Sequence, residues 1–404
     1  MATKLFLILP FITLLIPSGF AQCNKEKALP YFRRSVYEFS LNLISRIAQE
    51  NENHFVASGL SPWTLLSAVS LGAADDTLDE IRQVLRLHRH KCFNSKFFEL
   101  AQDLTAGDED TVLERSSTCF VDNRLPLNQV FRDRIKKTKI TGLEELQFDD
   151  FTVVANTINN YVSAATHGNI NEIVEPAELQ GVYIILIDAL FFKGAWKHQF
   201  SPEETEYSAF YDERGNQIGD VQLMFRNHKV NYTYVNQIGA SALELPYGTN
   251  DRFSMLLLLP QQGNTVSSVL DNMKSITLST IFKLFEQTGL ENVVIQIPRF
   301  TITSELNNMK EWLTDMGLKT MFDSNLAKFP DISDYSLYIS EIVQKATVTV
   351  NEEGTEASVV TAAEFEGRSM SPQFTANRPF LFMIVDKQLE LALFTGAYSK
   401  PSAI

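Results

Sequence analysis

Cysteine is scarce: Cys23, Cys92 and Cys119 are the only three in a chain of 404 residues. A disulfide-stapled miniprotein is thereby excluded, and three thiols cannot all pair within one chain. Histidine is rare too, with six residues and no His-Glu-x-x-His pair. Cys-x-x-Cys, Gly-x-Ser-x-Gly and Gly-x-x-x-x-Gly-Lys are all absent, so the chain offers no metal centre, hydrolase nucleophile or phosphate cradle. No cofactor and no enzymatic role are expected. Cations are outnumbered, with 35 Lys and Arg against 49 Asp and Glu and a formal charge of −14. That balance excludes nucleic acid as an electrostatic partner, because phosphate contacts need clustered Lys and Arg. No stretch reaches the about 18 uninterrupted apolar residues of a membrane span. What is present is an apolar share of 45%, ample for a packed core, over a length that implies two or three domains at about 150 residues each.

The first residues read as an address. Lys4 precedes the apolar run Leu5–Ile16, Pro17 and Ser18 break it, and Gly19-Phe20-Ala21 offers small residues where a signal peptidase reads. A signal peptide over 1–21 is expected, followed by a soluble, secreted chain over 22–404. Secretion permits disulfides, and whether Cys92 pairs with Cys119 is left open. Asn231-Tyr232-Thr233 is the single Asn-x-Ser/Thr sequon, an expected glycan site. The basic run Arg86, His88, Arg89, His90, Lys91 reads as a solvated loop; a glycosaminoglycan partner is the alternative, without further support.

Apolar residues at helical spacing, Val36, Phe39, Leu43, Ile44 and Ile47, predict a long helix over Tyr31–Gln49. Ser61-Pro62 opens a second helix ending at Gly72. A third is expected over Asp76–Leu87, with Thr77 and Glu80 as a capping box. Beyond Gly181 the texture changes, and the β-branched run Val182–Ile187 predicts a strand covered on both faces. Strands are also expected at Met255–Leu259, Val293–Ile297 and Leu381–Val385. No linker separates the halves, which argues for one domain.

The unusual segment lies near the C-terminus. Ala346–Val350 alternates in strand fashion, and after Asn351-Glu352-Glu353 comes Gly354. In the following residues Thr355, Ala357, Val359, Thr361, Ala363 and Phe365 share one face. Glu356, Ser358, Val360, Ala362, Glu364 and Glu366 share the other. One face is small and apolar and the other carries the acids, the period-two pattern of a half-buried strand. Yet the segment runs into Gly367-Arg368-Ser369-Met370-Ser371-Pro372, polar and of the kind proteases cleave. A segment built both as strand and as exposed loop suggests that it is each at different times.

At this point the residues resemble the serpin family. Phe374-Thr375-Ala376-Asn377-Arg378-Pro379-Phe380-Leu381 with Leu393-Phe394-Thr395-Gly396 is similar to the family's C-terminal signature. Ile158-Asn159-Asn160-Tyr161-Val162, Phe191-Phe192-Lys193-Gly194-Ala195-Trp196, Leu243-Glu244-Leu245-Pro246-Tyr247 and Asn351–Ala357 extend the match in order from about Tyr31 to Pro401. The resemblance implies an α+β, metastable single domain with three β-sheets, eight or nine helices and an exposed reactive-centre loop, here about 352–376. It also implies a monomer that traps a serine protease covalently when the cut loop inserts into the main sheet.

Counting seventeen residues from Glu352, as the resemblance prescribes, puts the reactive bond at Arg368-Ser369. A guanidinium suits a primary pocket floored by a carboxylate, so the expected partner is a trypsin-like serine protease. Phe365 and Met370 are rival cleavage points of the wrong insertable length. The expected hinge comprises Glu352, Gly354, Thr355, Glu356, Ala357, Ser358, Val359 and Thr361. Under the sheet centre the resemblance places Ser58, Ser61, Asp188 and Gln344, with Asp188 and Gln344 where relatives have Asn and His, and Gly59 where Pro is usual. A Gln344 N–H donated to the Asp188 carboxylate would keep that contact. Val359 and Val360, bulkier than the usual Ala, leave a non-inhibitory carrier, storage or chaperone serpin as the alternative.

Overall fold

Asn24 caps the first helix, Lys25–Glu50, by accepting from the Lys27 N–H at 2.9 Å. This start lies six residues before the expected one and leaves Pro30 inside the helix, where its missing N–H removes one bond near the end. Phe32, Val36, Phe39, Leu43, Ile44 and Ile47 form its buried stripe. A computed structural model describes residues 23–105, 111–354 and 371–401 of the chain, and within these it forms nine α-helices and fourteen strands. The expected signal peptide lies outside the described residues.

The second helix, Leu60–Val69, is buried on every side. The third runs Asp75–Val84, and Thr77 and Glu80 do not cap it. Instead Thr77 Oγ1 accepts from the Lys328 N–H at 3.0 Å, and Glu80 accepts from the Lys319 and Thr320 N–H groups, each at 2.8 Å. Both side chains tie down a distant segment, a role that local spacing does not reveal.

One sheet has five strands, in the order Phe300–Leu306, Glu341–Val350, Ile184–Gly194, Thr111–Asp122, Gly142–Leu146. Its two central strands, Glu341–Val350 and Ile184–Gly194, pair in parallel. Alternate residues explain the apolar run: Ile185, Ile187 and Ala189 pack with helix Phe151–Ala165, while Ile184, Leu186 and Leu190 face the main core. The second network has nine strands. It contains the two other expected sheets, fused because the 19-residue strand Gln217–Val235 pairs with Glu206–Tyr211 near its start and with Ala240–Pro246 at its end. Strand Gln373–Thr375 joins this network against Val294–Gln296.

Cys92 pairs with Cys23, not Cys119. Cys119 is buried, and burial pushes its thiol up to about 12. The bridge closes a 69-residue separation and ties the start of the first helix to helix Lys91–Thr105. Closing such a loop restricts the unfolded chain and is worth about 2–4 kcal/mol. Cys23→Ser should therefore destabilise the native state by that amount, read in urea as the shift in midpoint multiplied by the m-value; an unchanged midpoint would show that the bridge carries no stability.

Candidate functional site

The parallel register sets Gln344 directly beside Asp188 at the middle of the five-stranded sheet. Both are fully buried. Gln344 Nε2 donates to Asp188 Oδ2 at 2.7 Å and to the Ser58 carbonyl at 3.0 Å, and Gln344 Oε1 accepts from the Ser58 N–H at 3.0 Å. Ser61 Oγ donates to Asp188 Oδ1, and the Ser61 N–H donates to Ser58 Oγ at 3.2 Å. The four residues expected under the sheet centre are thus brought together, with Ser58 and Ser61 flanking the start of helix Leu60–Val69. Gly59 between them fits because a Cβ there would lie 2.3 Å from Ser40 Oγ on the first helix.

Arg115 is the member sequence reasoning missed. It sits in strand Thr111–Asp122, antiparallel to Ile184–Gly194, and donates from Nε to Ser61 Oγ at 2.9 Å, with Asp188 Oδ1 3.9 Å away. Its Nη2 also donates to Thr64 Oγ1. The Ser61 hydroxyl therefore relays between guanidinium and carboxylate, accepting from one and donating to the other. Burial raises the Asp188 pKa and the Arg115 charge opposes that rise; burial lowers the Arg115 pKa and Asp188 opposes that in turn. An Asp in place of a neutral Asn brings a buried charge, and Arg115 is its compensation. The available signal was a lone Arg in an otherwise hydroxyl-rich and apolar stretch, Thr111-Val112-Leu113-Glu114-Arg115-Ser116-Ser117-Thr118.

Pairing between the central strands runs from Glu341↔Ile185 to Thr347↔Phe191 and stops there. Val348–Val350 continue to pair with Phe300–Ile302, and Phe192–Gly194 with Thr111–Leu113, so the sheet divides at this end. The chain leaving Val350 is held across the division. Trp196 Nε1 donates to the Asn351 carbonyl at 2.8 Å, the Phe200 N–H to the Glu352 carbonyl at 2.9 Å and the Trp196 N–H to the Glu353 carbonyl at 3.1 Å. Glu352 is buried, accepts from Thr205 Oγ1 at 2.7 Å and faces Arg299 Nη2 at 3.5 Å. Gly354 has φ +93°, and a Cβ there would meet the Trp196 nitrogen at 2.3 Å and the Gly194 carbonyl oxygen at 2.5 Å. Both the left-handed backbone and the close approach require glycine. Trp196 itself is stacked on Tyr247 at 4.4 Å.

Thr355, Glu356, Ala357, Ser358, Val359, Thr361, Arg368 and Ser369 lie outside the described residues. Asn231 is half-buried in mid-strand, and its Nδ2, the atom a glycan would occupy, donates to the buried Glu244 at 2.6 Å. Sugar attachment would leave Nδ2 a single hydrogen with which to make that bond. In the basic run, Arg86 is paired with Glu38 and His88 packs against Tyr31 and Phe93. The expected solvated loop is therefore partly tied down.

Removing one partner of the buried pair should be costly. Asp188→Asn is expected to destabilise the native state by about 3–5 kcal/mol by stranding Arg115, and adding Arg115→Met should recover most of the loss. Chemical denaturation of the two single variants and the double variant measures this; additive losses would show that the charges are not coupled.

Comparison with known proteins agrees with this architecture. The family profile described as "Serpin (serine protease inhibitor)" matches residues 34–401. Serine protease inhibitor 2 of Anopheles gambiae is 30% identical, with 98% of each chain covered. Antithrombin-III of Homo sapiens is 30% identical over 87% of this chain and 77% of its own. Among solved structures, Serpin48 of the insect Tenebrio molitor superposes with a TM-score of 0.78 at 25% identity, covering 92% of this chain and 99% of its own. Native protease nexin-1 with heparin superposes at 0.80 with 25% identity, covering 93% and 100%. The match across the chain, the single α+β domain and the divided five-stranded sheet make this protein a member of the serpin family.

Proposed function

We propose that the protein is a secreted inhibitor that traps trypsin-like serine proteases covalently at Arg368-Ser369. The observation that carries this reading is the divided end of the five-stranded sheet: two parallel strands cease pairing after Thr347 and Phe191, beside the residues that lead into 355–370. A strand entering there would lie between Val348–Val350 and Phe192–Gly194, which no longer pair with one another. Loop insertion is the established behaviour of the family. A new strand of about a dozen residues, at about 0.5–1.5 kcal/mol per hydrogen bond, contributes on the order of 10 kcal/mol before side-chain burial. That matches the whole stability of a typical domain and suffices to distort a tethered enzyme.

The chemistry belongs to the protease. Its serine Oγ attacks the Arg368 carbonyl carbon, the C–N bond to Ser369 breaks, and the Ser369 amine leaves with a proton from the enzyme's base. An ester then joins Arg368 to the enzyme, and insertion prevents its hydrolysis. In this reading the protein acts as inhibitor rather than catalyst. Secretion is supported by the apolar leader and by the Cys23–Cys92 bridge, a bond that persists in oxidising compartments.

Incubation with trypsin should give a covalent complex that survives boiling in detergent, and Arg368→Ala should abolish it. Cleaved chain without complex, with every Arg-specific protease tried, would instead establish the non-inhibitory reading that Val359 and Val360 leave open. Thr355→Arg places a charge on the face to be buried and should turn inhibitor into substrate. Undiminished trapping by that variant would refute the insertion register.

A further inference from the structure

A cavity of about 760 Å³ lies among helices Leu60–Val69, Asp75–Val84, Lys91–Thr105 and Gln129–Thr138, away from the divided sheet. Its size is that of a small-molecule site. Half-buried Leu71, Leu78, Leu87 and Phe98 supply its accessible apolar surface, fully buried Trp63 and Phe97 adjoin it, and serine, threonine and amide side chains share the wall. The rim is cationic: Arg82, Lys91, Arg134, Lys137 and Lys139 line it against only two carboxylates, Glu99 and Asp331. Those two carboxylates are already engaged, Glu99 with Lys96 and Asp331 with Arg134. Lys91, Lys137 and Lys139 are exposed and have no ion-pair partner among the described residues. Such a concentration of unpaired cations is conspicuous in a chain of formal charge −14. It raises the local concentration of anions at the mouth of an apolar space.

We propose that this cavity binds a single-chain amphiphilic anion, a long-chain carboxylate, with the alkyl chain against Leu71, Leu78 and Phe98, beside Trp63, and the head group among Lys91, Lys137 and Lys139. Apolar floor and cationic rim select together: a neutral chain lacks the head-group attraction, and a small anion such as inorganic phosphate leaves the floor empty. The site takes in Lys91, the end of the basic run for which the protease reading has no use. It is independent of Arg368 and of loop insertion.

Trp63 makes the proposal measurable, because the other two tryptophans, Trp196 and Trp312, do not line the cavity. Titration of the full chain with ω-bromododecanoate, below its micelle concentration, should quench Trp63 saturably with one equivalent bound. Unbrominated dodecanoate should compete, and dodecanol should not. Trp63→Phe should remove the quenching. Lys91→Glu with Lys137→Glu, both on exposed helix positions, should weaken binding about tenfold with the thermal midpoint retained. Non-saturating quenching, quenching that survives Trp63→Phe, or equal binding by dodecanol or by the charge-reversed variant would overturn the proposal. Binding of a sulfated oligosaccharide at these lysines without any binding of dodecanoate would overturn it as well.

Discussion

Two strands at the centre of the five-stranded sheet are cross-linked by side chains as well as by backbone, and the rest of the architecture depends on that junction. Gln344 on one strand holds Asp188 on the other, Ser58 and Ser61 bind both from beneath, and Arg115 supplies the charge that lets a carboxylate exist there. Every member is buried or nearly so, which makes each hydrogen bond strong and each missing partner expensive. The cluster also reaches three layers: the sheet, helix Leu60–Val69 and the turn after strand Phe55–Ala57. A displacement of either central strand is therefore felt by the helical layer.

Away from that junction the sheet is allowed to part. Beyond Thr347 and Phe191 the two strands stop pairing with each other while each keeps its outer neighbour, and the chain that follows is held through three backbone carbonyls and one buried carboxylate among other contacts. Trp196 serves as the post: it donates to two of the carbonyls and is itself fixed by its stack on Tyr247.

Much of this was legible in the sequence where physics is local. The apolar run from Val182 gave a strand buried on both faces because alternate residues meet two different cores. The first helix was legible from its stripe, although its start was hidden by Pro30, which sits in the second turn at the loss of one N–H bond. The proximity of Gln344 and Asp188 followed from the family resemblance alone, since 156 residues separate them. Arg115 went unread because its meaning depends on which acid the antiparallel register brings near it. Thr77 and Glu80 misled for the same reason: their spacing fits a cap, and tertiary contacts with 319–328 claimed them. The Cys23–Cys92 pairing likewise needed the helix packing that brings the two together.

The strands on either side of 355–370 belong to different sheets: Val350 ends a strand of the five-stranded sheet, and Gln373 begins one in the nine-stranded network. Among the described residues no hydrogen-bonded ladder runs from one to the other. A cut between them would separate two strands that are held by different sheets, each keeping its described ladder. Each half of such a break would inherit an anchor of its own, one in the five-stranded sheet and one in the nine-stranded network.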